Sequence, residues 1–196
     1  MERRELTDPH ALRAYAHPTR IALVGLLRRK GPCTATEAAG LTGESVASCS
    51  YHLRILAKYG LVEEAGGGVG RQKPWRAVAS ATDWPGYSED RTVAEAAGAL
   101  SMAFVERYFA EVTHWLERRT SESAEWQQAA PFGDAALYLT AGELARLGER
   151  IWELMEPYQE RLDHPDRRPE AARLVTYVHF AHPARALPGE PGPGAP

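Results

Sequence analysis

The chain has 196 residues, 44% of them hydrophobic, and a formal net charge of −3. That suits one ordinary domain or two small ones with a real core, and no apolar run approaches the roughly 18 residues of a membrane span. Residues 1–79 carry 12 Lys and Arg against 7 Asp and Glu, a net of +5, whereas residues 80–196 carry 11 against 19, a net of −8. A basic front suits contact with phosphates, and an acidic back would face away from them.

The opening MERRELTDPH has no apolar h-region, so a cytoplasmic location without a secretion signal is expected. Two cysteines, Cys33 and Cys49, make no disulfide framework; both fall in expected helical segments and stay reduced. Leu6 to Ala16 reads as a short helix with Leu12 and Tyr15 inward. Pro18 fits the first turn of a second helix, made almost wholly apolar by Ile21, Leu23, Val24, Leu26 and Leu27. Arg28, Arg29 and Lys30 favour the negative end of its dipole, and Gly31-Pro32 stops it.

Thr34-x-x-Glu37 is a capping box that opens a third, short helix ending near Gly40 to Gly43. Ser45 is a good N-cap for a fourth. There Val46, Cys49, Leu53 and Leu56 fall at spacings of 3, 4 and 3, one buried stripe. The other face carries Ala47, Ser48, Ser50, Tyr51 and Arg54. Small and hydroxyl residues near the helix start allow close approach to base edges, and the arginine reaches a phosphate or a guanine. Helix 45–58 is therefore expected to be a recognition helix.

Leu61 to Glu64 and Trp75 to Val78 read as two strands, joined through a flexible tip at Gly66-Gly67-Gly68-Val69-Gly70. Arg71, Lys73 and Arg76 put positive charge on or beside that tip. A basic wing of this kind over 61–78 follows the backbone or enters the minor groove.

The run AHPTRIALVGLL, followed by SCSYHLRILAKYGLVEE and GRQKPWR, resembles the winged helix-turn-helix of the ArsR family of bacterial transcriptional regulators. Ser50-x-His52-Leu53 with Leu56 and Gly60-Leu61-Val62 carries the closest likeness, which covers roughly residues 8–79. The resemblance implies a homodimer that binds a partly palindromic operator, usually as a repressor. It places Ser48, Ser50, Tyr51, His52 and Arg54 on the DNA side and Arg71 on the wing. Metal-sensing members carry a Cys-x-Cys pair near the third helix or Asp and His pairs on a long C-terminal helix. Here Cys33 stands alone, and His114-x-x-Glu117 has no Asp-x-His upstream, so no metal and no other cofactor is expected.

Trp84-Pro85-Gly86 marks a linker. A long helix is expected from Arg91 to Arg119, on the order of 43 Å, with Val93, Ala97, Leu100, Phe104, Tyr108, Val112 and Trp115 on one stripe. Such a helix on a small domain packs against a second subunit or an intramolecular partner. Ala135 to Leu139 reads as a strand. A second capping box, Thr140-x-x-Glu143, starts a helix that Pro157 should kink or split. Arg173 to Phe180 alternates as another strand. The aromatic residues of this lobe either line an effector pocket or form core and dimer interface. The tail from Pro188 cannot form a core.

The expected architecture is α+β and mainly helical: a winged helix-turn-helix over 1–80, a helical or α+β dimerisation lobe over 88–186, and a disordered tail over 187–196. The expected function is a sequence-specific DNA-binding transcriptional regulator, a homodimeric repressor. Its DNA-facing residues are Ser45, Ala47, Ser48, Ser50, Tyr51, His52, Arg54, Arg71, Lys73 and Arg76. Its expected partners are an operator duplex and a second copy held through helix 91–119, with a small-molecule effector left open and no membrane. A protein-interaction module is the alternative. With no nucleophile elbow, P-loop or Gly-x-Gly-x-x-Gly, no enzyme is expected.

Overall fold

The computed structural model describes residues 3–67, 73–130 and 132–185. Gly68 to Gly70 and Arg71 of the expected wing, and the expected tail 187–196, lie outside the described residues.

Each early helix starts where a side chain takes an otherwise orphaned N–H. Asp8 caps α1 (Pro9–Tyr15), His17 caps α2 (Pro18–Lys30), and Ser45 caps α4 (Val46–Lys58). The expected capping box opens α3 (Ala35–Thr42): Glu37 N donates to Thr34 Oγ1 at 3.2 Å, and Thr34 N donates to the Glu37 carboxylate at 2.7 Å. Gly43, at φ 74°, closes α3 in the left-handed region, so only Glu44 and Ser45 remain before α4. That short, sharp connection sets α3 and α4 as a helix-turn-helix pair.

The hairpin of β3 (Val62–Glu64) and β4 (Pro74–Ala77) is joined by β2 (Cys33–Thr34) in a three-stranded antiparallel sheet of order β2-β4-β3. Cys33 therefore lies in a strand rather than a helix. Gly31, at φ 83°, has already ended α2, and Cys33 pairs with Trp75. A second, parallel pair was not anticipated: β1 (Arg3–Glu5) lies beside β5 (Ala81–Asp83). Arg28, in the last turn of α2, donates to Ala79 O at 3.0 Å and Thr82 Oγ1 at 2.5 Å, and so fixes the chain around β5. Arg4 donates to the carbonyls of Gly60 (2.5 Å) and Tyr59 (3.0 Å), tying β1 to the end of α4. Gly60 is at φ 67°, and a Cβ there would sit 2.9 Å from that guanidinium, so a side chain is opposed by both backbone and neighbour.

One core joins Leu12 and Tyr15 of α1, Leu23, Val24 and Leu27 of α2, Ala38 of α3, and Cys49, Leu53 and Leu56 of α4. It extends past residue 80. Ala96, Ala97 and Leu100 of α5 (Arg91–Arg118) are buried in it, and Phe104 meets Tyr15 edge-on at 5.5 Å between ring centroids. Trp84 is no free linker residue: its ring lies 4.9 Å from Phe104, and its Nε1 donates to Ser101 Oγ at 2.9 Å.

Beyond Leu100 no described residue is buried. α5 continues with Met102, Val105, Phe109 and Leu116 exposed and Val112 half-buried, a 3-4-3-4 stripe on the side opposite Leu100. The expected strands at 135–139 and 173–180 are absent, both segments running outside any helix or sheet. Alternation is necessary for a half-buried strand but not sufficient, because a strand also needs a ladder partner, and neither segment pairs. α6 (Ala124–Ala129) precedes α7 (Ala141–Asp163), which runs through Pro157 as one helix rather than splitting. Arg173 reaches back to Glu122 with two bonds (2.8 and 3.1 Å) and covers the Trp126 ring at 4.7 Å.

Because Leu53 is fully buried where α4 meets α2, Leu53→Ala should lower unfolding free energy by about 2–5 kcal/mol in urea melts. A loss under about 1 kcal/mol would mean that this contact does not hold the helix pair.

Candidate nucleic-acid interface

The outward face of α4 is set by what its inward face buries. Cys49, His52, Leu53 and Leu56 face the core, which leaves Ala47, Tyr51, Arg54 and Lys58 exposed at spacings of 4, 3 and 4. Lys58 was not singled out in the sequence, although the same spacing extended by one turn reaches it. Val46 departs from the expected buried stripe and is 46% exposed. It occupies the first helical position, at the end of α4 beside the turn, while Cys49, a turn later, is fully covered.

Two of the expected contact residues have structural tasks. Ser45 Oγ accepts from Ser48 N at 3.1 Å as the N-cap, and Ser48 Oγ donates to Glu44 at 2.8 Å. Glu44 also accepts from Thr19 Oγ1 at 2.9 Å, which locks α2 to the turn, and the Ser48 and Thr19 bonds hold its carboxyl below the usual range. Ser50 is half-buried, and its carbonyl accepts from Arg54 Nε at 3.1 Å. Tyr51 is 57% exposed.

His52 is placed differently from the expectation. It is 8% exposed and supports the helix from behind instead of facing outward. Its ring lies 4.6 Å from the His17 ring and 5.2 Å from that of Tyr51, and its Nδ1 is 3.3 Å from the Arg20 guanidinium. Arg20 also donates to Ala14 O, so it bridges the end of α1 to α4. His17 Nδ1 accepts from Thr19 N at 3.2 Å and caps α2. Burial lowers both imidazole pKa values. Arg20 lowers His17 further, while His17 and then Arg20 lower His52.

The wing is less free than its composition suggests. Lys73 pairs with Glu64 at 2.7 Å and Arg76 with Glu63 at 2.5 Å, so both described cations of the hairpin are matched across it. The register explains the second pair, since Glu63 stands opposite Arg76. Elsewhere, His114 and Glu117 form an exposed contact at 3.7 Å. Among the described residues no three His, Cys, Asp or Glu side chains converge as metal ligands. Both thiols are buried, and burial pushes each up from its ordinary pKa.

The two imidazoles give a stated pH dependence. The folded chain favours their neutral forms, so the unfolded chain takes up protons first as pH falls below about 6.5. Their contribution is complete above that pH and is lost as pH falls towards the lowered folded values; His17 then also loses its acceptor. Glu44 acts in a separate window, losing its contribution only as pH falls through its depressed carboxyl value. Melting temperature should drop between pH 7 and pH 5.5, and His17→Asn with His52→Gln should flatten that drop. An unchanged melting temperature in the parent chain would contradict the buried placement.

Residues 15–65, from the end of α1 through β3, match a family described as a helix-turn-helix domain. Among curated proteins no relative matches the chain. The matched stretch is the unit just described, α2, α3 and α4 with the start of the hairpin. The chain thus carries a helix-turn-helix domain, the architecture of DNA-binding transcription regulators.

Proposed function

We propose that the protein is a sequence-specific transcriptional regulator that lays α4 in the major groove and its wing on flanking DNA. The observation that carries this reading is the exposed stripe Ala47, Tyr51, Arg54 and Lys58 on the second helix of a helix-turn-helix pair. The net charge of +5 over residues 1–79 supports it. On this reading residues 1–80 form the DNA-binding unit, with Ser50 and Arg54 as polar contacts and Arg71, Lys73 and Arg76 on the wing. The likeness to the ArsR family favours a repressor working in the cytoplasm. No helix among the described residues is long and apolar enough to cross a membrane.

The same proposal includes a homodimer held through helix 91–119, with 88–186 as the dimerisation lobe. Its support is the unpartnered stripe Met102, Val105, Phe109, Val112 and Leu116, whose 3-4-3-4 spacing suits a helix–helix seam. Two α4 helices related by a two-fold axis would then read two half-sites about one helical turn apart. A small-molecule effector fits the same lobe as a second reading, because its aromatic residues Trp152, Tyr158 and Tyr177 are left exposed.

Fluorescence anisotropy on the chain's own upstream region, against a scrambled duplex at two salt concentrations, tests the DNA reading. Binding should be selective and fall steeply with salt, as phosphate contacts release counterions. Glu63→Gln with Glu64→Gln should free Lys73 and Arg76 and steepen the log–log salt slope by about 1 to 2; an unchanged slope would remove these cations from the interface. Phe109→Glu should turn a dimer into a monomer by light scattering and weaken palindrome binding more than half-site binding. A parent chain that is already monomeric at micromolar concentration would refute the seam.

A further inference from the structure

Among the described residues before Tyr87, only three large apolar side chains are exposed: Leu41 (57%), Val46 (46%) and Tyr51 (57%). All three belong to α3 and α4, and two of them lie on the recognition helix. Scattered exposed apolar residues need no explanation. A set confined to the pair of helices that would meet DNA does, because the remaining large apolar side chains of this domain found cover.

The first turn of α4 narrows the chemistry. Its two hydroxyls are engaged within the protein, Ser45 by the backbone N–H of Ser48 and Ser48 by Glu44. Between them stand Val46 and Ala47, both exposed and both ending in methyl groups. The part of the helix nearest the turn therefore offers methyl surface, and the polar groups come later, at Ser50 and Arg54. In the major groove one base edge matches such a surface, the 5-methyl group of thymine; the other bases present donors and acceptors there.

We propose that Val46 and Ala47 select a thymine in each half-site through apolar contact with its 5-methyl group. This rests on the DNA-binding reading above and deepens it by naming what α4 recognises. Tyr51, held from behind by the His52 ring at 5.2 Å between ring centroids, covers the flank of that contact. Arg54 and Lys58 then supply contacts that do not depend on the methyl group.

The test begins with selection of bound duplexes from a random pool by the full chain. Each thymine of the recovered site is then replaced singly by deoxyuridine, which removes only the methyl group. One thymine per half-site should show a loss of about fourfold or more, the worth of one buried methyl-sized group. In Val46→Ser and in Ala47→Gly that penalty should shrink towards unity. Both positions are on the surface, and matching thermal melts confirm that the variants fold. Selective binding that tolerates uracil at every position overturns the thymine proposal alone. So does a uracil penalty that survives unchanged in both variants. Failure to enrich any duplex, with no salt-sensitive binding, overturns the DNA-binding reading and this proposal together.

Discussion

The contact of α4 with α1 and α2 fixes what the rest of this structure can present. Cys49, Leu53 and Leu56 are fully buried on the inner side of α4, and His52 closes the edge against His17 and Arg20. A helix has one rotational setting that buries four such residues, so the outward positions follow without further choice. Glu44 then sets the axial position by joining the start of α4 to Thr19 at the start of α2. Burial fixes the rotation of α4, and a three-way hydrogen-bond junction fixes its entry point.

Charge is arranged on a second principle, local matching. The hairpin cations face glutamates across the ladder, and Lys30 faces Glu37 at 3.2 Å. Exposed pairs of this kind contribute little to stability, but they lower the free charge on the wing. The positive groups of α4 differ: Arg54 rests on a carbonyl of its own helix and Lys58 lies 5.5 Å from the Tyr59 ring centroid. Among the described residues Arg54 and Lys58 thus have no carboxylate partner, whereas Lys73 and Arg76 each have one.

Much of the front half was legible in the sequence because its signals are local. The capping box at Thr34, the cap at Ser45 and the glycines at 31 and 43 each act within one turn of chain, and each stands where the sequence places it. What failed to show was non-local. β1 and β5 pair residues 78 positions apart, Arg3 with Ala81, and nothing in RRE alone announces a strand. Val46 has the right period for the core but lies beyond the reach of a covering element. His52 carries a polar type on a core-facing position, and only the His17 ring and Arg20, brought in from another helix, make that burial acceptable. Of the ten residues expected on the DNA side, Ala47, Tyr51 and Arg54 are openly exposed on α4, Ser45 and Ser48 are engaged in capping, and Arg71 lies outside the described residues.

In the back half the two expected helices form, the expected strands do not, and much apolar surface is left uncovered. α7 carries two strong local signals, a capping box and an apolar stripe through Leu144, Leu147, Ile151 and Leu154, yet buries none of its residues. Local signals give a helix its ends, but most of the stability of a helix in a protein comes from burying its face. The segments 135–139 and 174–180 are in the same position, rich in Leu, Val, Tyr and Phe and lacking a ladder. Among the described residues, sixteen of the twenty exposed large apolar side chains lie at or beyond Met102. Up to Leu100 most large apolar side chains of the described residues are covered, whereas after it many are exposed. That division falls within α5, whose first half is packed into the core shared with α1, α2 and α4. The exposed second half of α5 and the first half packed in the core belong to one continuous helix.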